Sequence, residues 1–184
     1  MPDEACWASF FDVEGALDAL LGSGYLAGDV VEFGCGYGTF ALPMARRTQG
    51  TVTALDIEPE MVALVRRKAA ECGLDNLRVV QRDFVADGSG LEAGSQALAL
   101  VFNLLHLEDP VALLAEAHRV LHPGGTVSVM HWRSDVATPR GPSLDIRPSP
   151  QQCAAWLAEA GFRQVERVDL GRYCPYHFGL TAMP

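Results

Sequence analysis

The segment VVEFGCGYG, residues 30–38, joins a compact apolar run to three glycines at alternate positions. Because glycine has no Cβ atom, Gly34, Gly36 and Gly38 allow a sharp backbone turn and a close approach to a ligand. A helical pattern begins at Thr39, and the free N–H groups at the start of a helix attract anionic or polar groups. The segment therefore predicts a strand, a tight loop and a helix that together bind a nucleotide-like molecule.

Outward from this segment, buried strands alternate with helical patterns. We predict strands at residues 29–33, 51–55, 77–81, 97–102, 126–131, 164–170 and 177–182. We predict helices at residues 13–21, 39–47, 59–72, 110–121 and 150–160, with residues 123–125 (Pro-Gly-Gly) stopping the fourth of them. This alternation predicts an α/β fold, in which helices cover both faces of a parallel sheet. The ligand of such a sheet lies at the carboxyl ends of the strands, near the point where strand order reverses.

Length and composition indicate one domain. The chain has 184 residues, of which 49% are hydrophobic and 20% are charged, as in ordinary globular proteins. Within residues 1–184 we interpret 1–28 as a lid-like helical segment, 29–132 as the cofactor-binding core, and 133–184 as a substrate-side loop with the final helix and strands. The first segment carries three aromatic residues, Trp7, Phe10 and Phe11. They either fold over the ligand as a lid or pack on the domain surface.

Charge and cysteine content exclude several classes of protein. The net charge is −9 and the pI is about 4.9, whereas nucleic-acid binding depends largely on lysines and arginines. We therefore expect a small-molecule substrate and no nucleic-acid partner. The longest apolar run, 97–105, is shorter than the roughly 18 residues of a membrane helix, so we expect no membrane span. The start of the sequence is acidic, unlike a secretory signal, so we expect no export and a cytoplasmic location. Five scattered cysteines predict neither a disulfide framework nor a metal site.

Two details of the glycine loop distinguish between nucleotide cofactors. Dinucleotide fingerprints have the spacing G-x-G-x-x-G, whereas Thr39 stands here where the last glycine would be. Glu32 places a carboxylate two residues before the first glycine. A carboxylate repels a pyrophosphate and attracts the amino group and sulfonium of S-adenosylmethionine. The loop therefore favours S-adenosylmethionine, and an NAD-dependent Rossmann oxidoreductase is the less favoured alternative.

Asp56 is the second element of the predicted cofactor site. It stands at the carboxyl end of the second predicted strand, 18 residues after Gly38. A carboxylate at this point accepts hydrogen bonds from both hydroxyls of a ribose. In the alternative interpretation, Asp56 merely caps the helix that begins near Pro59.

The order of these motifs resembles that of class I S-adenosylmethionine-dependent methyltransferases. The resemblance is carried by residues 30–40, 54–61, 81–84, 101–110 and 119–127, and within the class it is greatest to the small-molecule group that includes ubiquinone- and menaquinone-type (type 11) methyltransferases. It implies a Rossmann-like, doubly wound sheet of seven strands, mostly parallel, with the last strand antiparallel and inserted between the fifth and sixth. It also implies methyl transfer to a small molecule. A non-catalytic cofactor-binding partner or regulatory subunit is the alternative.

The resemblance also implies roles for individual residues. Glu32, Gly34, Gly36 and Gly38 would surround the methionine part of the cofactor, with Cys35 as a small residue in the same loop. Asp56 would bind the ribose. The adenine would contact four residues, Ile57, Met61, Asp83 and Phe84, and the methionine and sulfonium side would be lined by Asn103 and Leu104.

The acceptor side is less defined by the sequence. Histidine titrates near neutral pH, so His106, three residues after Asn103, is the candidate general base. His131 and Trp132 end the fifth predicted strand and are expected to contact substrate. In the loop that follows, Arg140 and Arg147 are candidates for holding an anionic group. The acceptor itself and the oligomeric state are left open.

Overall fold

The computed structural model describes residues 3–24 and 26–184. Residues 1, 2 and 25 of the predicted N-terminal segment lie outside the described residues. The strands are β1 (Val30–Phe33), β2 (Val52–Asp56), β3 (Leu77–Gln81), β4 (Gln96–Phe102), β5 (Leu121–Trp132), β6 (Arg163–Val168) and β7 (His177–Met183). The helices are α1 (Glu4–Ala8), α2 (Val13–Leu21), α3 (Ala41–Arg47), α4 (Pro59–Glu71), α5 (Pro110–Val120) and α6 (Pro150–Glu159).

The seven strands form one sheet in the order β3-β2-β1-β4-β5-β7-β6. The pairs from β3 to β5 are parallel, and β7 runs antiparallel to both of its neighbours. The predicted Rossmann-like sheet, with its last strand inserted between the fifth and sixth, is therefore confirmed. Strand order reverses between β1 and β4, so this is where a ligand site is expected.

Helices pack on both faces of the sheet because successive strand residues point to opposite sides. Val30 belongs to one apolar core and Val31 to the other. The first core contains side chains of α2, α3 and α4, and the second contains side chains of α5 and α6. Every residue of β1 and of β4 is buried, which explains the absence of polar alternation in these strands.

Local signals set the start of two helices. Pro59 occupies the first turn of α4, where a missing N–H costs nothing. Ser149 caps α6 through a reciprocal arrangement, in which the Gln152 N–H donates to Ser149 Oγ at 3.2 Å and the Ser149 N–H donates to Gln152 Oε1 at 2.8 Å. Both starts agree with the sequence prediction.

The boundary between α5 and β5 differs from the prediction. The helix ends at Val120, and β5 begins at Leu121 rather than at Thr126. The register passes from Gln96 opposite Leu121 to Leu98 opposite Thr126, so the Pro-Gly-Gly sequence lies in a bulge of the strand. A bulge tolerates proline because it leaves the ladder of hydrogen bonds locally open. Helix α1 lies within the segment interpreted as helical, although its bounds were not predicted, and the short 3₁₀ turn Leu144–Ile146 was not predicted.

Among the described helices, none combines the length and the apolar character that crossing a membrane requires.

Candidate active site

A cavity of about 850 Å³ opens at the carboxyl ends of β1, β2, β4 and β5, where strand order reverses. Fourteen of the residues predicted for the site line it: Glu32, Gly34, Cys35, Gly36, Asp56, Ile57, Met61, Asp83, Phe84, Asn103, Leu104, His106, Trp132 and Arg140. Three predicted residues are not part of its wall: Gly38, His131 and Arg147. The cavity size is typical of small-ligand sites.

The glycine loop after β1 is fixed by a backbone conformation that glycine adopts easily. Gly36 has φ +49° and Gly38 has φ +75°, which is the left-handed region. A Cβ atom at Gly38 would lie 3.1 Å from both methyl groups of Val65 on α4. Gly38 therefore lets the loop pack against α4 and does not line the cavity, which corrects its predicted place beside the ligand.

Glu32 lies at the end of β1 with 2% of its surface exposed. Its Oε2 atom is buried and accepts no hydrogen bond from the described part of the chain. Burial, and then the charge of Asp56, raise the pKa of Glu32 well above its ordinary value, although the Ala41 N–H opposes this shift. A buried carboxylate oxygen without a donor is costly, so Oε2 of Glu32 suits a ligand that carries positive charge or N–H donors.

Asp56 connects the end of β2 to the glycine loop. Its Oδ2 accepts a hydrogen bond from the Gly36 N–H at 2.7 Å, and its Oδ1 accepts one from the Glu58 N–H at 3.0 Å. The N-cap residue of α4 is Glu58, whose side chain makes no capping bond. Asp56 therefore acts on the loop beside the cavity, and the interpretation of this residue as a mere helix cap is wrong.

Apolar side chains form the wall that follows β2 and β3. Ile57 and Val85 line the cavity although 52% and 57% of their surfaces are exposed, so they leave an apolar surface for a ligand. Asp83 Oδ1 accepts from the backbone N–H groups of Val85 and Ala86 at 3.2 and 3.0 Å. Asp83 thus stabilises a turn and also lines the cavity. Phe84 contributes both to the wall and to the core.

Asn103 follows β4 in a left-handed conformation, with φ +59°, which asparagine tolerates better than most residues. Its N–H donates to the Met130 carbonyl at 2.7 Å. Its side-chain Oδ1 is buried without a donor among the described residues, and the residue lines the cavity. Like Glu32, Asn103 therefore has a buried oxygen acceptor without a donor. It lies on the β4 side of the cavity.

Cys35 is a packing residue of the loop. Its N–H donates to the Leu55 carbonyl at 2.9 Å, and 4% of its surface is exposed. Burial raises the pKa of the thiol, and the carboxylates of Glu32 and Asp56 raise it further. The thiol thus stays protonated, which agrees with the expected role of a small residue in a tight turn.

Two histidines meet behind the cavity wall. His106 lines the cavity, and its Nδ1 lies 3.3 Å from Nε2 of His131. His131 is completely buried, and its Nδ1 lies 3.1 Å from the Trp132 carbonyl oxygen. Burial lowers the pKa of His106 and lowers that of His131 to about 4. The prediction that His131 contacts substrate is wrong, because the ring lies outside the cavity wall and packs behind His106.

Arg147 binds the backbone of the loop after β5 and does not line the cavity. Its guanidinium donates to the backbone carbonyls of Pro142 at 2.8 Å, Arg133 at 3.0 Å and Arg140 at 3.3 Å. It also lies 5.6 Å from the centre of the Trp132 ring. These contacts use three of the five N–H donors of the guanidinium, and Arg147 is not part of the cavity wall, so the structure does not place it where the predicted ligand contact requires it. Arg140 is exposed and lines the cavity.

The N-terminal segment contributes one wall. Trp7 of α1 lines the cavity, and its indole Nε1–H donates to Thr39 Oγ1 at 3.0 Å. Lys68 of α4 pairs with Glu4 and donates to the Tyr37 carbonyl at 2.9 Å, so it holds α1 against the glycine loop. Trp7 therefore forms part of the cavity wall.

The other two aromatic residues of this segment pack inside. Phe10 contacts the Trp132 ring at a centroid distance of 5.6 Å, and Phe11 contacts Phe40 at 5.4 Å. Behind them lies His177 of β7, whose ring centre is 4.1 Å from that of Trp132 and whose two ring nitrogens are buried without a partner in the described chain. Phe10 and Phe11 thus pack in the interior beside Trp132 and Phe40 and do not line the cavity.

Several lining residues had not been singled out from the sequence. They are Thr39, Phe40, Glu58, Val85, Ala86, Phe102, Leu107, Gly141 and Pro142. Most belong to loops, whose path hydrophobic periodicity does not determine. Thr39 was noted in the sequence for its place in the glycine spacing but not as a wall residue, although its position directly after the glycine loop was itself a signal.

Comparisons with known proteins agree with this geometry. The family described as a methyltransferase domain matches residues 30–125. A ubiquinone biosynthesis O-methyltransferase from Xanthomonas axonopodis pv. citri (strain 306) is 30% identical over 167 residues, covering 80% of this chain and 67% of that protein. Aklanonic acid methyltransferase DauC from Streptomyces sp. (strain C5) is 33% identical over 102 residues, covering 54% of this chain and 46% of that protein.

Among solved structures, a SAM dependent methyltransferase from Aquifex aeolicus has a TM-score of 0.82 and 25% identity, and the match covers 98% of this chain and 93% of that one. The chain spans about half to two thirds of the length of the curated relatives just described. The family match runs from β1 into the start of β5, so it includes the glycine loop and Asp56. The chain therefore belongs to the methyltransferase-domain family, and its fold is that of the class I S-adenosylmethionine-dependent methyltransferases.

Proposed function

We propose that this chain binds S-adenosylmethionine and transfers its methyl group to a small-molecule acceptor by in-line displacement. The observation that carries the proposal is the buried Oε2 atom of Glu32, which lacks a donor among the described residues while the residue lines the cavity. A ligand with a cationic amino group and a sulfonium satisfies such a carboxylate. When bound, the cofactor supplies an electrophilic methyl group, and the protein supplies binding and orientation.

In this proposal, the half of the cavity beside β1 and β2 holds the cofactor. Glu32 accepts from its amino group, and the loop around Gly34 and Gly36 lies along its methionine part. Asp56 faces the ribose hydroxyls with the lone pairs that its two backbone donors leave free. The adenine wall consists of Ile57, Met61, Asp83 and Phe84, all of which line the cavity.

The half beside β4 and β5 holds the acceptor. Trp7, Leu107 and Trp132 give this half apolar and aromatic walls, and Arg140 adds a cation at an exposed position. An acceptor with an apolar ring or chain and an anionic group fits these walls. His106 lines the same half and acts as the general base when the acceptor carries a proton. Trp7, held by Thr39, excludes water from the reacting groups.

Calorimetry on the pure protein tests the cofactor half. We expect S-adenosylmethionine and S-adenosylhomocysteine to bind, and Glu32→Gln to weaken both by about tenfold or more, because a charge-assisted hydrogen bond is lost. Glu71→Gln is the matched control, since Glu71 is an exposed carboxylate on α4 whose partner is Arg67 at the surface. Tight binding of NADH without binding of either sulfur compound would instead indicate the oxidoreductase alternative.

A methyl-transfer screen tests the reaction itself. Purified protein is incubated with S-adenosylmethionine labelled in its methyl group and a pool of metabolites fractionated by charge and hydrophobicity. We expect label in an apolar, anionic fraction. If the cofactor binds in calorimetry while no fraction accepts label, the non-catalytic alternative replaces the enzyme.

A further inference from the structure

Two imidazole rings from different strand ends meet through one nitrogen of each ring, with their planes 68° apart, at the acceptor half of the cavity. His106 belongs to the turn after β4 and lines the cavity, and His131 is the penultimate residue of β5. Their contact joins Nδ1 of His106 to Nε2 of His131 at 3.3 Å. A second contact joins Nδ1 of His131 to the Trp132 carbonyl oxygen at 3.1 Å. The chain thus places a carbonyl, a buried histidine and a cavity histidine in series.

The proton positions in this series follow from the donors and acceptors. A carbonyl oxygen accepts and cannot donate, so Nδ1 of His131 carries a proton. A neutral imidazole has one N–H, so Nε2 of His131 is then an acceptor. The contact with His106 requires one donor, so Nδ1 of His106 carries the proton. The remaining nitrogen, Nε2 of His106, holds a lone pair and makes no hydrogen bond to any residue in the described ranges.

His131 is held neutral by its surroundings. The residue is fully buried, and on β7 the apolar ring of Phe178 packs against it at a centroid distance of 6.2 Å. The titratable and charged groups that act on His131 are His106, Arg147 and His177, and none of them is an anion. A second proton on His131 would meet the positive charge of Arg147, so the acceptor lone pair on Nε2 persists.

We propose that His131 is a positioning residue that fixes His106 in its Nδ1–H tautomer, so that Nε2 of His106 is the general base for an acceptor bearing a hydroxyl group. The inference rests on the proposed function, because the base acts only if methyl transfer occurs in this cavity. As the acceptor oxygen gains the methyl group, its proton passes to Nε2, the sulfonium becomes a neutral thioether, and the positive charge moves to the His106 imidazolium. An acceptor that is already ionised would not need this arrangement.

Nitrogen NMR of the full chain, labelled with ¹⁵N at histidine, tests the tautomer directly, because the two neutral tautomers give different ring-nitrogen shifts. The spectra are recorded above neutral pH without ligand, and His106→Phe assigns the resonances. We expect the Nδ1–H form of His106 in the wild type and protonation at Nε2 on acidification. In His131→Phe, which removes the acceptor, we expect the Nε2–H form. In His131→Gln, whose side-chain oxygen can accept the same hydrogen bond, the Nδ1–H form should return.

Three results would overturn the inference: an Nε2–H tautomer in the wild type, an unchanged tautomer in His131→Phe, or loss of the Nδ1–H form in His131→Gln. Even if His131→Phe fails to fold, the wild-type spectrum tests the inference, because an Nε2–H tautomer of His106 would contradict it. His118→Phe, an equivalent change on α5 outside the cavity, should leave the His106 resonances unchanged. Calorimetry with S-adenosylhomocysteine is run in parallel. Binding together with the wrong tautomer would contradict only the role of His131, whereas absence of binding would contradict the proposed function.

Discussion

Glu32 and Asp56 line the same cavity from the ends of adjacent parallel strands, and they differ in their hydrogen bonding. Both oxygens of Asp56 accept backbone N–H groups, from Gly36 and from Glu58. One oxygen of Glu32 is buried without any donor in the described structure. Asp56 therefore shapes the loop, whereas Glu32 keeps bonding capacity for a ligand at a cost to the stability of the free protein.

This cost predicts that Glu32→Gln stabilises the ligand-free protein. Burial raises the pKa of Glu32 in the folded chain, so above the ordinary value of 4.5 the folded state binds more protons than the unfolded state. Stability conferred by this group then falls as pH rises, with a limiting slope of about 1.4 kcal/mol per pH unit. We expect Glu32→Gln to raise the melting temperature at neutral pH by roughly 2–4 °C. An unchanged or lower melting temperature would show that the carboxylate is not strained in the free protein.

The acid stability of the protein should depend on His177. Burial lowers its pKa to about 3 in the folded chain, against an ordinary value of 6.5. Between these values only the unfolded chain takes up the proton, so stability falls as pH falls, by about 1.4 kcal/mol per pH unit at most. Urea unfolding of His177→Phe should therefore show a flatter dependence on pH below 6.5 than the wild type. His118→Gln, at a partly exposed position, should keep the wild-type slope.

Catalysis should show an acid limb set by His106. Burial lowers the pKa of His106 below 6.5, so the unprotonated base persists to lower pH and kcat should decline only below that value. With the acceptor found in the labelling screen, His106→Gln should lower kcat by roughly 10²–10⁴-fold, the usual contribution of general acid–base catalysis. The KM for S-adenosylmethionine should stay within about twofold. A His106→Gln variant with wild-type kcat would rule out a base at this position.

Two glycine substitutions separate conformational strain from crowding. Gly38 and Gly73 both have positive φ, +75° and +64°. A Cβ atom at Gly38 would lie 3.1 Å from Val65, whereas nothing lies within 4 Å of one at Gly73. Gly73→Ala should thus cost about 1–2 kcal/mol of unfolding free energy from the backbone conformation alone, and Gly38→Ala should cost more. Chemical denaturation measures both, and equal losses would mean that α4 yields without penalty.

The loop that carries Arg140 should depend on Arg147. A lysine at 147 keeps the charge but cannot reach the three carbonyls that the guanidinium spans. We expect Arg147→Lys to speed trypsin cleavage after Arg140 roughly tenfold, which corresponds to about 1.4 kcal/mol of easier local opening. Cleavage elsewhere on the folded chain provides the internal control. Unchanged cleavage after Arg140 would show that other contacts hold the loop.

The sequence predicted the strands of the sheet centre well, since burial on both faces produces continuous apolar runs. The prediction placed β1 and β4 each within one residue. The edge strand β3, which is only partly buried, was also placed correctly at residues 77–81. Most residues of the cavity wall beside β1 and β2 were also predictable, because they directly follow strand ends or belong to the glycine loop. The start of β5 was missed because a Pro-Gly-Gly sequence is typical of turns, and here a bulge absorbs it.

The cavity wall beside β4 and β5 was harder to predict because it depends on side-chain direction. His131 and Trp132 are consecutive in a strand, so their side chains leave opposite faces, and of the two it is Trp132 that lines the cavity. Arg140 and Arg147 look alike in the sequence, and their roles differ because one meets three backbone carbonyls and the other does not. Such partners arise from the path of the loop, which no local pattern specifies.

Because Arg147 holds this loop through backbone carbonyls, the side chains of the loop can be substituted without removing these hydrogen bonds. Arg147 donates hydrogen bonds to the backbone carbonyls of residues 133, 140 and 142, and these bonds do not involve their side chains. Substitutions at Arg140 or Pro142 can therefore alter the shape and charge of the cavity wall while the hydrogen bonds from Arg147 are kept. The strands that carry Glu32 and Asp56 lie outside this loop. The shape and charge of one side of the cavity can accordingly be altered by selection or engineering without changing the strands on the other side.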